Sequence, residues 1–289
     1  CTTVQDYLQM FPPDINDVIH VEDGSWSGAD NGDPEFKKWL GDPGSNGYSP
    51  DRNSWSVLTA VKNSVLTAEQ INANNQNTKE AWKYLLVGET SCYWYWDGSL
   101  NGIWDDHPTR AANLAYSYSQ LVTGNDLTQP TIFIPQRKPY NPGSTEWGIV
   151  QTNNVKIWSY VYDISGLQYV KLKYRVSDSD VLTSVNLIYN GGTWIEEEMT
   201  GKDIISMTSM QPSVKSKEYA VEITGLNNKM IDYYIEAKDN NGNIAKSQLK
   251  HVWIGNGTGG GSTNSGVSWF PVNPTINDTL TITVSGAPQ

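Results

Sequence analysis

The sequence predicts a multidomain α plus β protein, with a helical bundle region and a short strand first and an antiparallel β-sandwich after it. Two patterns predict this fold class. Up to about residue 128, apolar residues recur at steps of three and four, as on one face of a helix. From 129 to 255 they alternate with polar residues, as in half-buried strands. The length of 289 residues also favours more than one domain.

These patterns divide the chain into four predicted segments. Residues 1–128 are the helical region and residues 129–255 the β-sandwich. Residues 256–266 are rich in Gly and Ser, which predicts a flexible linker. Residues 267–289 resume a strand-like alternation but are too few to bury a core, so we expect a poorly ordered segment or a single docked strand. Because the chain lacks an initiator Met and stops within this alternation, we expect it to be a piece of a longer protein.

Local signals place the first predicted strand and helix. The apolar run from Val18 to Val21 suits a short buried strand. Ser49 and Pro50 have the residue types of an N-cap and a first-turn proline, so they predict the start of a helix. Its predicted apolar stripe consists of Trp55, Leu58, Lys62, Val65 and Leu66.

Two further helices are predicted downstream. One begins near Thr78, and its predicted packing face consists of Trp82, Leu86, Glu89 and Tyr93. A carboxylate on an apolar face is either paired or placed for function, which makes Glu89 a candidate site residue. The last helix is predicted to open after Asp106 and to stop at Gly124, because glycine commonly ends helices.

The alternating part of the chain predicts seven short strands, at residues 131–134, 155–162, 170–176, 184–189, 219–223, 230–237 and 251–254. The segment Asp239–Asn243 has the oxygen-bearing residues of a calcium loop. It also contains Asn-Gly, the strongest short hairpin signal, and we favour the hairpin. No cofactor is therefore expected, with calcium as the open alternative.

Composition narrows the function classes. The net charge of −11 and the lack of Lys/Arg runs argue against nucleic acid and anionic membranes as partners. No apolar run reaches the length of a membrane span. The two Cys form no CxxC pattern, and His20, His107 and His251 lie far apart, so no metal site is expected.

Aromatic residues carry the functional signal, since the chain has 12 Trp and 16 Tyr but only 4 Phe. They crowd beside carboxylates between Leu86 and Pro108, where Trp94, Trp96 and Trp104 are candidate rings for stacking on sugars. The alternative is that these rings are core, because aromatics bury the most apolar surface, and we favour packing for all three. Two other candidates, Trp26 and Trp39, lie in predicted turns and loops.

Three motifs resemble a glycoside hydrolase family 57 catalytic unit of starch-degrading proteins: His20–Trp26, Trp39–Pro43 and Glu89–Trp96. In the last motif, Thr90 and Cys92 stand where that family has Gly and Asp. The β-sandwich resembles immunoglobulin or fibronectin type III modules. The segment Trp269–Thr279 resembles the opening of a family 25 starch-binding module.

This resemblance implies a retaining α-glucan hydrolase of the α-amylase or amylopullulanase type, which uses a nucleophilic carboxylate and an acid. Both residues are expected in an upstream catalytic barrel, so no catalytic residue is assigned here and we expect this chain alone to be inactive. The implied partners are an α-glucan and that barrel, and the implied location is extracellular, secreted or attached to the cell surface. Trp26 and Trp39 would be substrate-stacking rings.

Two alternatives remain open. One is a non-catalytic carbohydrate-binding, adhesion or spacer protein that uses the sandwich and the tail. The other is an enzyme complete in this chain, with paired carboxylates and a histidine as its catalytic groups. Its candidate residues are Glu22, Asp23, Glu89, Asp105 and Asp106, with His20 or His107. Retaining chemistry needs two carboxyls about 5–5.5 Å apart, a distance that the sequence does not give.

Overall fold

The computed structural model describes residues 3–12, 37–95, 103–146, 149–179, 183–255, 266–270 and 281–285. Within this part of the chain all α-helices precede all strands. The helices are α1 (Val4–Met10), α2 (Lys37–Leu40), α3 (Pro50–Asn72), α4 (Gln76–Gly88), α5 (Cys92–Tyr95) and α6 (Ile103–Ser119). The predicted strand at Val18–Val21 lies outside the described residues.

The start of α3 confirms the sequence prediction. Ser49 is the N-cap, its hydroxyl accepts a hydrogen bond from the Arg52 backbone N–H, and Pro50 occupies the first turn. This cap satisfies a backbone donor that would otherwise lack a partner. The buried face of α3 then packs against α4 and α6. Their shared core consists of Val57, Leu58, Val61, Val65, Ala81, Leu85, Trp94, Ala112 and Ala115.

The packing face of α4 is rotated by one residue from the predicted one. Leu85 is fully buried, whereas Leu86 is 60% exposed. The helix approaches its neighbours closely at Gly88, where an added Cβ would lie 3.0 Å from Leu58 Cδ2. The small residue thus directs the Leu85 side of α4 into the core.

The bounds of α6 also differ from the prediction. The helix begins at Ile103, before Asp106, and ends at Ser119 rather than near Gly124. Around Ser119 the backbone hydrogen bonds span three residues instead of four. Leu121 N–H donates to Tyr118 O, and Val122 N–H donates to Ser119 O. Such tight final turns satisfy carbonyls at helix ends without a glycine cap.

The strands are β1 (Thr131–Ile132), β2 (Gln136–Lys138), β3 (Thr145–Glu146), β4 (Ile149–Val150), β5 (Val155–Tyr162), β6 (Leu167–Ser177), β7 (Ile195–Glu198), β8 (Thr200–Asp203), β9 (Lys217–Ile223), β10 (Lys229–Asp239), β11 (Ile244–Lys246), β12 (Lys250–Ile254), β13 (Gly266–Phe270) and β14 (Thr281–Ser285). Six of the seven predicted strands coincide with observed ones. The short strands β2, β3, β4, β7, β8 and β11 were not predicted.

Most of the strands form two five-stranded antiparallel sheets. The first has the order β1-β5-β9-β8, and β2 pairs with β5 beside β1. The second has the order β11-β10-β6-β7, and β12 pairs with β10 beside β11. One buried cluster draws residues from both sheets, including Ile157 of the first and Leu172 and Ile235 of the second. The fold is therefore α plus β and rich in β structure, while its immunoglobulin or fibronectin type stays a prediction.

The strand predicted at 184–189 is wrong. Residues Ser184–Leu187 form a 3-10 turn instead. The side chain of Asn186 accepts from the Thr183 backbone N–H at 2.8 Å and donates to the Asp232 carboxylate at 2.9 Å. These bonds hold the segment in a turn despite its apolar alternation.

The helices contact the outer face of the first sheet. Trp158 and Tyr160 of β5 pack against Trp55 of α3 and Phe133. In the tail, β13 and β14 pair with each other in antiparallel register, where a poorly ordered segment or a single strand was expected. Among the described residues, no helix has the length and apolar character needed to cross a membrane.

Candidate functional site

The structure brings three of the predicted site residues, two aromatic and one acidic, around another tryptophan, Trp55. The Trp55 Nε1–H donates to the backbone carbonyl of Trp39 at 2.7 Å. The indole of Trp94 stacks on that of Trp55, with centroids 4.1 Å apart and planes inclined by 1°. Glu89 lines the same cleft as Trp55. Trp39 is distant in sequence from Glu89 and Trp94, yet all three lie around Trp55.

Local structure explains this meeting. Trp55 lies in the second turn of α3. This part of α3 is close to the C-terminal end of α4, where Gly88 approaches Leu58. Glu89 is the C-cap of α4, since its backbone N–H donates to Leu85 O. Trp94 lies in α5, and at 2% exposure it belongs to the helical core. The rings therefore join because α4 ends beside the start of α3.

The cleft beside Trp55 has a volume of about 380 Å³. It lies where α3, the end of α4 and β1 meet. Its lining consists of Trp55, Leu58, Thr59, Lys62, Glu89, Thr131, Ile132, Phe133 and Ile134. Small-molecule sites commonly have volumes of about 300–1,000 Å³, so this cleft is large enough for a ligand.

The cleft combines aromatic walls with polar and charged groups. Trp55 is half-buried and tilts against Phe133, with ring centroids 5.0 Å apart. Lys62 and Glu89 have exposed side chains of opposite charge. The Thr131 hydroxyl is buried and makes no hydrogen bond among the described residues. Such a site can contact the apolar surface of a ligand with its aromatic rings and the hydroxyls of a ligand with its charged groups.

The remaining predicted site residues are only partly described. Trp26 and Trp96 lie outside the described residues, as do His20, Glu22 and Asp23. Trp104 is the second residue of α6, and its side chain is not described. The structure thus places these residues neither in nor out of the cleft.

Two other acidic candidates, Asp105 and Asp106, accept hydrogen bonds that hold the start of α6 to neighbouring segments. The Asp105 carboxylate is buried and accepts from Tyr48 Oη and from Asn53 Nδ2. Burial and the neighbouring Asp105 raise the pKa of Tyr48 above its ordinary value, so this phenol stays protonated and donates. Asp106 accepts from Thr208 and Ser209.

His107, the histidine beside these carboxylates, is exposed, and its ring stacks on Tyr93 with centroids 5.5 Å apart. In the described part of the chain, Asp105 and Asp106 are held by hydrogen-bond donors rather than aimed together at a cleft. This arrangement does not present Asp105 and Asp106 as a pair of carboxyls at a cleft.

The segment weighed as a calcium loop is a hairpin turn between β10 and β11, as favoured from the sequence. Asp239 Oδ1 accepts from the Asn243 backbone N–H at 2.7 Å and Oδ2 accepts from Asn243 Nδ2 at 2.6 Å. The same carboxylate nevertheless approaches two others, Asp126 and Asp163.

Sequence reasoning missed the central position of Trp55 and the part played by Phe133. Trp55 was assigned to a packing stripe, which is half correct, because one face of its ring does pack on Trp94. Phe133 lies between β1 and β2, in a segment predicted as one continuous strand. Helical spacing shows which face of α3 is apolar. It does not show that the sheet leaves part of this face, at Trp55, open to a cleft.

The fold and the cleft define an α plus β protein in which helices and an antiparallel sheet together border an aromatic pocket. An α-amylase of Niallia circulans is similar to this chain, at 24% identity over 88% of the chain. The chain spans 29% of the length of that amylase. No family model matches the chain. The similarity supports a relationship to α-amylase-like glycoside hydrolases.

Proposed function

We propose that this chain is part of an extracellular starch-degrading glycoside hydrolase with a family 57 type of catalytic unit. The observation that carries the proposal is the similarity to an α-amylase over 88% of the chain. In this proposal the helices form a wall of the substrate cleft, and the sheets and the tail are accessory modules. The sheets would be an immunoglobulin or fibronectin type module, and residues 267–289 the start of a family 25 starch-binding module.

The Trp55 cleft is the proposed contact with α-glucan. A glucose ring has apolar C–H groups on its faces and hydroxyls at its edges. The rings of Trp55 and Phe133 are suited to the apolar faces of the sugar, while the charged groups of Lys62 and Glu89 are suited to the hydroxyls at its edges.

The predicted site residues take different roles in this proposal. Glu89 contacts sugar hydroxyls directly. Trp39 and Trp94 act through Trp55, one by accepting its indole hydrogen bond and the other by supporting its ring. Trp26, Trp96 and Trp104 remain candidate stacking rings on the same glucan.

Catalysis is proposed to reside upstream. A retaining hydrolase needs a nucleophilic carboxylate and an acid about 5–5.5 Å apart. In the described residues, Asp105 and Asp106 are engaged by donors and Glu89 stands alone at the cleft. The chain by itself is therefore expected to bind glucan without hydrolysing it.

One observation favours a second candidate, in which the chain is a carbohydrate-binding or spacer protein without a catalytic partner. Trp194 is half-buried on the second sheet and meets Tyr234 edge-on, with centroids 4.9 Å apart. Arg175 lies 4.7 Å from the centre of the Trp194 ring. A rigid ring beside a cation is a further surface on which a sugar can stack.

Affinity electrophoresis of the chain in gels containing amylopectin tests the proposal. Two rim variants change the charged residues of the cleft: Lys62→Ala removes the ammonium group, and Glu89→Gln removes the negative charge. We expect each variant to weaken retardation about threefold to tenfold. Lys79→Ala and Glu69→Gln are matched controls, because both residues have exposed side chains on the same helices and lie outside the cleft. The controls should migrate like the wild type.

Each outcome has a distinct meaning. Loss of retardation in the rim variants alone supports the Trp55 cleft. Unchanged retardation in the rim variants, together with loss in Trp194→Ala, favours the second candidate. A wild-type chain that amylopectin does not retard contradicts α-glucan binding in either candidate and leaves only the spacer role of the second.

A further inference from the structure

The cleft beside Trp55 is elongated along helix α3. The α3 residues that line it lie on one face of the helix, at successive steps of three, one and three residues: Trp55, Leu58, Thr59 and Lys62. Because a helix rises about 1.5 Å per residue, the Cα atoms of Trp55 and Lys62 lie about 10 Å apart along its axis. The cleft therefore follows the helix axis over about this length.

The opposite wall has a matching length and runs in the opposite direction. It consists of residues 131–134, which begin as β1 and cover up to about 10 Å at the rise of a strand. One end of this wall lies beside Trp55, since the ring centroid of Phe133 is 5.0 Å from that of Trp55. The other end follows Gln129, whose carbonyl accepts from Asn63 Nδ2 at 3.2 Å. The two walls are therefore antiparallel and border one groove.

The chemical groups of the groove change from one end to the other. Trp55 and Phe133 make one end aromatic. The opposite end has the exposed, positively charged side chain of Lys62. Glu89 lies between the two ends, because it follows the part of α4 that approaches Leu58. A ligand that fills the groove thus contacts aromatic rings at one end and charged groups in its middle and at the other end.

The groove has the width of a single sugar chain. Its volume of about 380 Å³, spread over a length of about 10 Å, gives a cross-section of about 40 Å², or a passage about 6 Å wide. Leu58 and Ile132 line this passage from the two walls. The hydroxyl of Thr59 donates to the Trp55 backbone carbonyl at 2.7 Å, so it is already engaged within α3. The passage therefore admits one chain and not two chains side by side.

The length of the groove fits two glucose residues. A glucose residue spans about 5 Å between the oxygens of its two linkages, because its ring is built from bonds of about 1.5 Å. Two α-linked residues therefore fill about 10 Å. A single glucose leaves half of the groove empty, and a third residue extends beyond Trp55 or Lys62.

We propose that the Trp55 cleft binds two consecutive glucose residues of one α-glucan chain. One ring lies on Trp55 and Phe133, the next ring lies within reach of Lys62, and Glu89 lies beside the linkage between them. This two-residue site rests on the proposed function, the glucan contact, and adds to it the length of the bound segment and a place for each rim residue. Affinity then depends on the second ring, while further rings only multiply the positions in which a chain can bind.

Isothermal titration calorimetry of the full chain with glucose, maltose, maltotriose and maltoheptaose tests the length of the site. The Kd should fall at least about tenfold from glucose to maltose, because the second ring adds contacts of its own. From maltose to maltoheptaose it should fall by no more than about sixfold, which is the gain from the overlapping glucose pairs that the longer chain offers.

Two rim variants test where the second ring lies. Lys62→Ala should raise the Kd for maltose about threefold to tenfold and should affect glucose less, because a single glucose binds at the aromatic end. Glu89→Gln should raise both Kd values by similar factors, since Glu89 adjoins both rings. Lys79→Ala is the matched control, because Lys79 has an exposed side chain on α4 and lies outside the cleft. Circular dichroism melting curves equal to that of the wild type show that the variants are folded.

The outcomes separate this site from the broader proposal. Glucose bound as tightly as maltose, or a gain from maltose to maltoheptaose well beyond sixfold, would overturn the two-residue site. An equal loss for glucose and maltose in Lys62→Ala would overturn the place of the second ring. In each of these cases the glucan contact itself stands. Binding of none of the four sugars would overturn the proposed glucan contact and the two-residue site together.

Discussion

The parallel rings of Trp55 and Trp94, 4.1 Å apart, connect the buried helical core to the surface of the candidate cleft. Trp94 is 2% exposed and does not line the cleft, whereas Trp55 does. The position of Trp55 depends on this support and on its hydrogen bond to the Trp39 carbonyl. The stability of the helical core and the proposed ligand contact are therefore coupled at one aromatic pair.

Replacing Trp94 by Ala should destabilise the chain by about 3–5 kcal/mol, because it leaves a cavity where a large buried ring packed. Urea denaturation followed by circular dichroism measures the change. Tyr7→Ala is the control, since Tyr7 is 52% exposed and should tolerate truncation within about 0.5 kcal/mol. Equal stabilities of Trp94→Ala and Tyr7→Ala would refute the packing role of Trp94.

Gly41→Ala should destabilise the start of α3. Gly41 has a φ of +84°, and a Cβ there would collide with Ser49 Oγ, the cap of the helix. Gly225→Ala is the matched control, because Gly225 has a φ of +77° but open space around its Cβ position. We expect the control to lose about 1 kcal/mol from backbone strain alone and Gly41→Ala to lose about 1–3 kcal/mol more. Similar melting temperatures for the two variants would mean that the cap is not under steric control.

Asp232→Asn should weaken the second sheet. Asp232 is buried and accepts from Arg175 Nε at 2.7 Å, and His251 Nδ1 lies 2.7 Å from its other oxygen. Removing the charge leaves the buried guanidinium of Arg175 without its anionic partner, which should cost about 3 kcal/mol at neutral pH. Chemical denaturation of the variant and the wild type gives this difference. A loss below about 1 kcal/mol would contradict a stabilising role for the pair.

The same residue predicts a pH dependence. Burial alone would raise the pKa of Asp232, but hydrogen bonds from His251, Arg175 and Asn186 outweigh it and hold the pKa below the ordinary 3.8. A lowered pKa adds stability above the unfolded value, and that stability is lost as pH falls through the folded value. The gap in melting temperature between wild type and Asp232→Asn should therefore narrow as pH is lowered below about 4. A gap that stays constant down to the lowest pH at which both fold would contradict this sign.

Short-range chemistry made part of the fold predictable. Ser49 and Pro50 start α3 because capping depends on neighbouring residues, and β5 matches its prediction at both ends. The prediction of a strand at 184–189 failed because a hydrogen bond from Asn186 to Asp232, which is far along the chain, outweighs the local alternation of apolar and polar residues. The buried face of α4 depends on the close approach at Gly88, which periodicity alone does not reveal.

The candidate site was predicted only in pieces. Residue types pointed to Trp39, Trp94 and Glu89, since rings and carboxylates are what a sugar needs. That these residues surround Trp55 follows from how α3, α4 and β1 meet, which is a long-range property. For the same reason Asp239 was weighed as a calcium ligand within its own loop, whereas its neighbours Asp126 and Asp163 come from distant segments.

Titration of the chain with maltoheptaose, followed by tryptophan fluorescence, tests the proposed glucan contact most directly. Cellopentaose, a β-linked glucan oligomer, serves as the comparison ligand. The account predicts a saturable fluorescence change with maltoheptaose, weakened in Lys62→Ala and Glu89→Gln, and little change with cellopentaose. No saturable response to maltoheptaose, or an equal response in the rim variants, would contradict the claim that the Trp55 cleft contacts α-glucan.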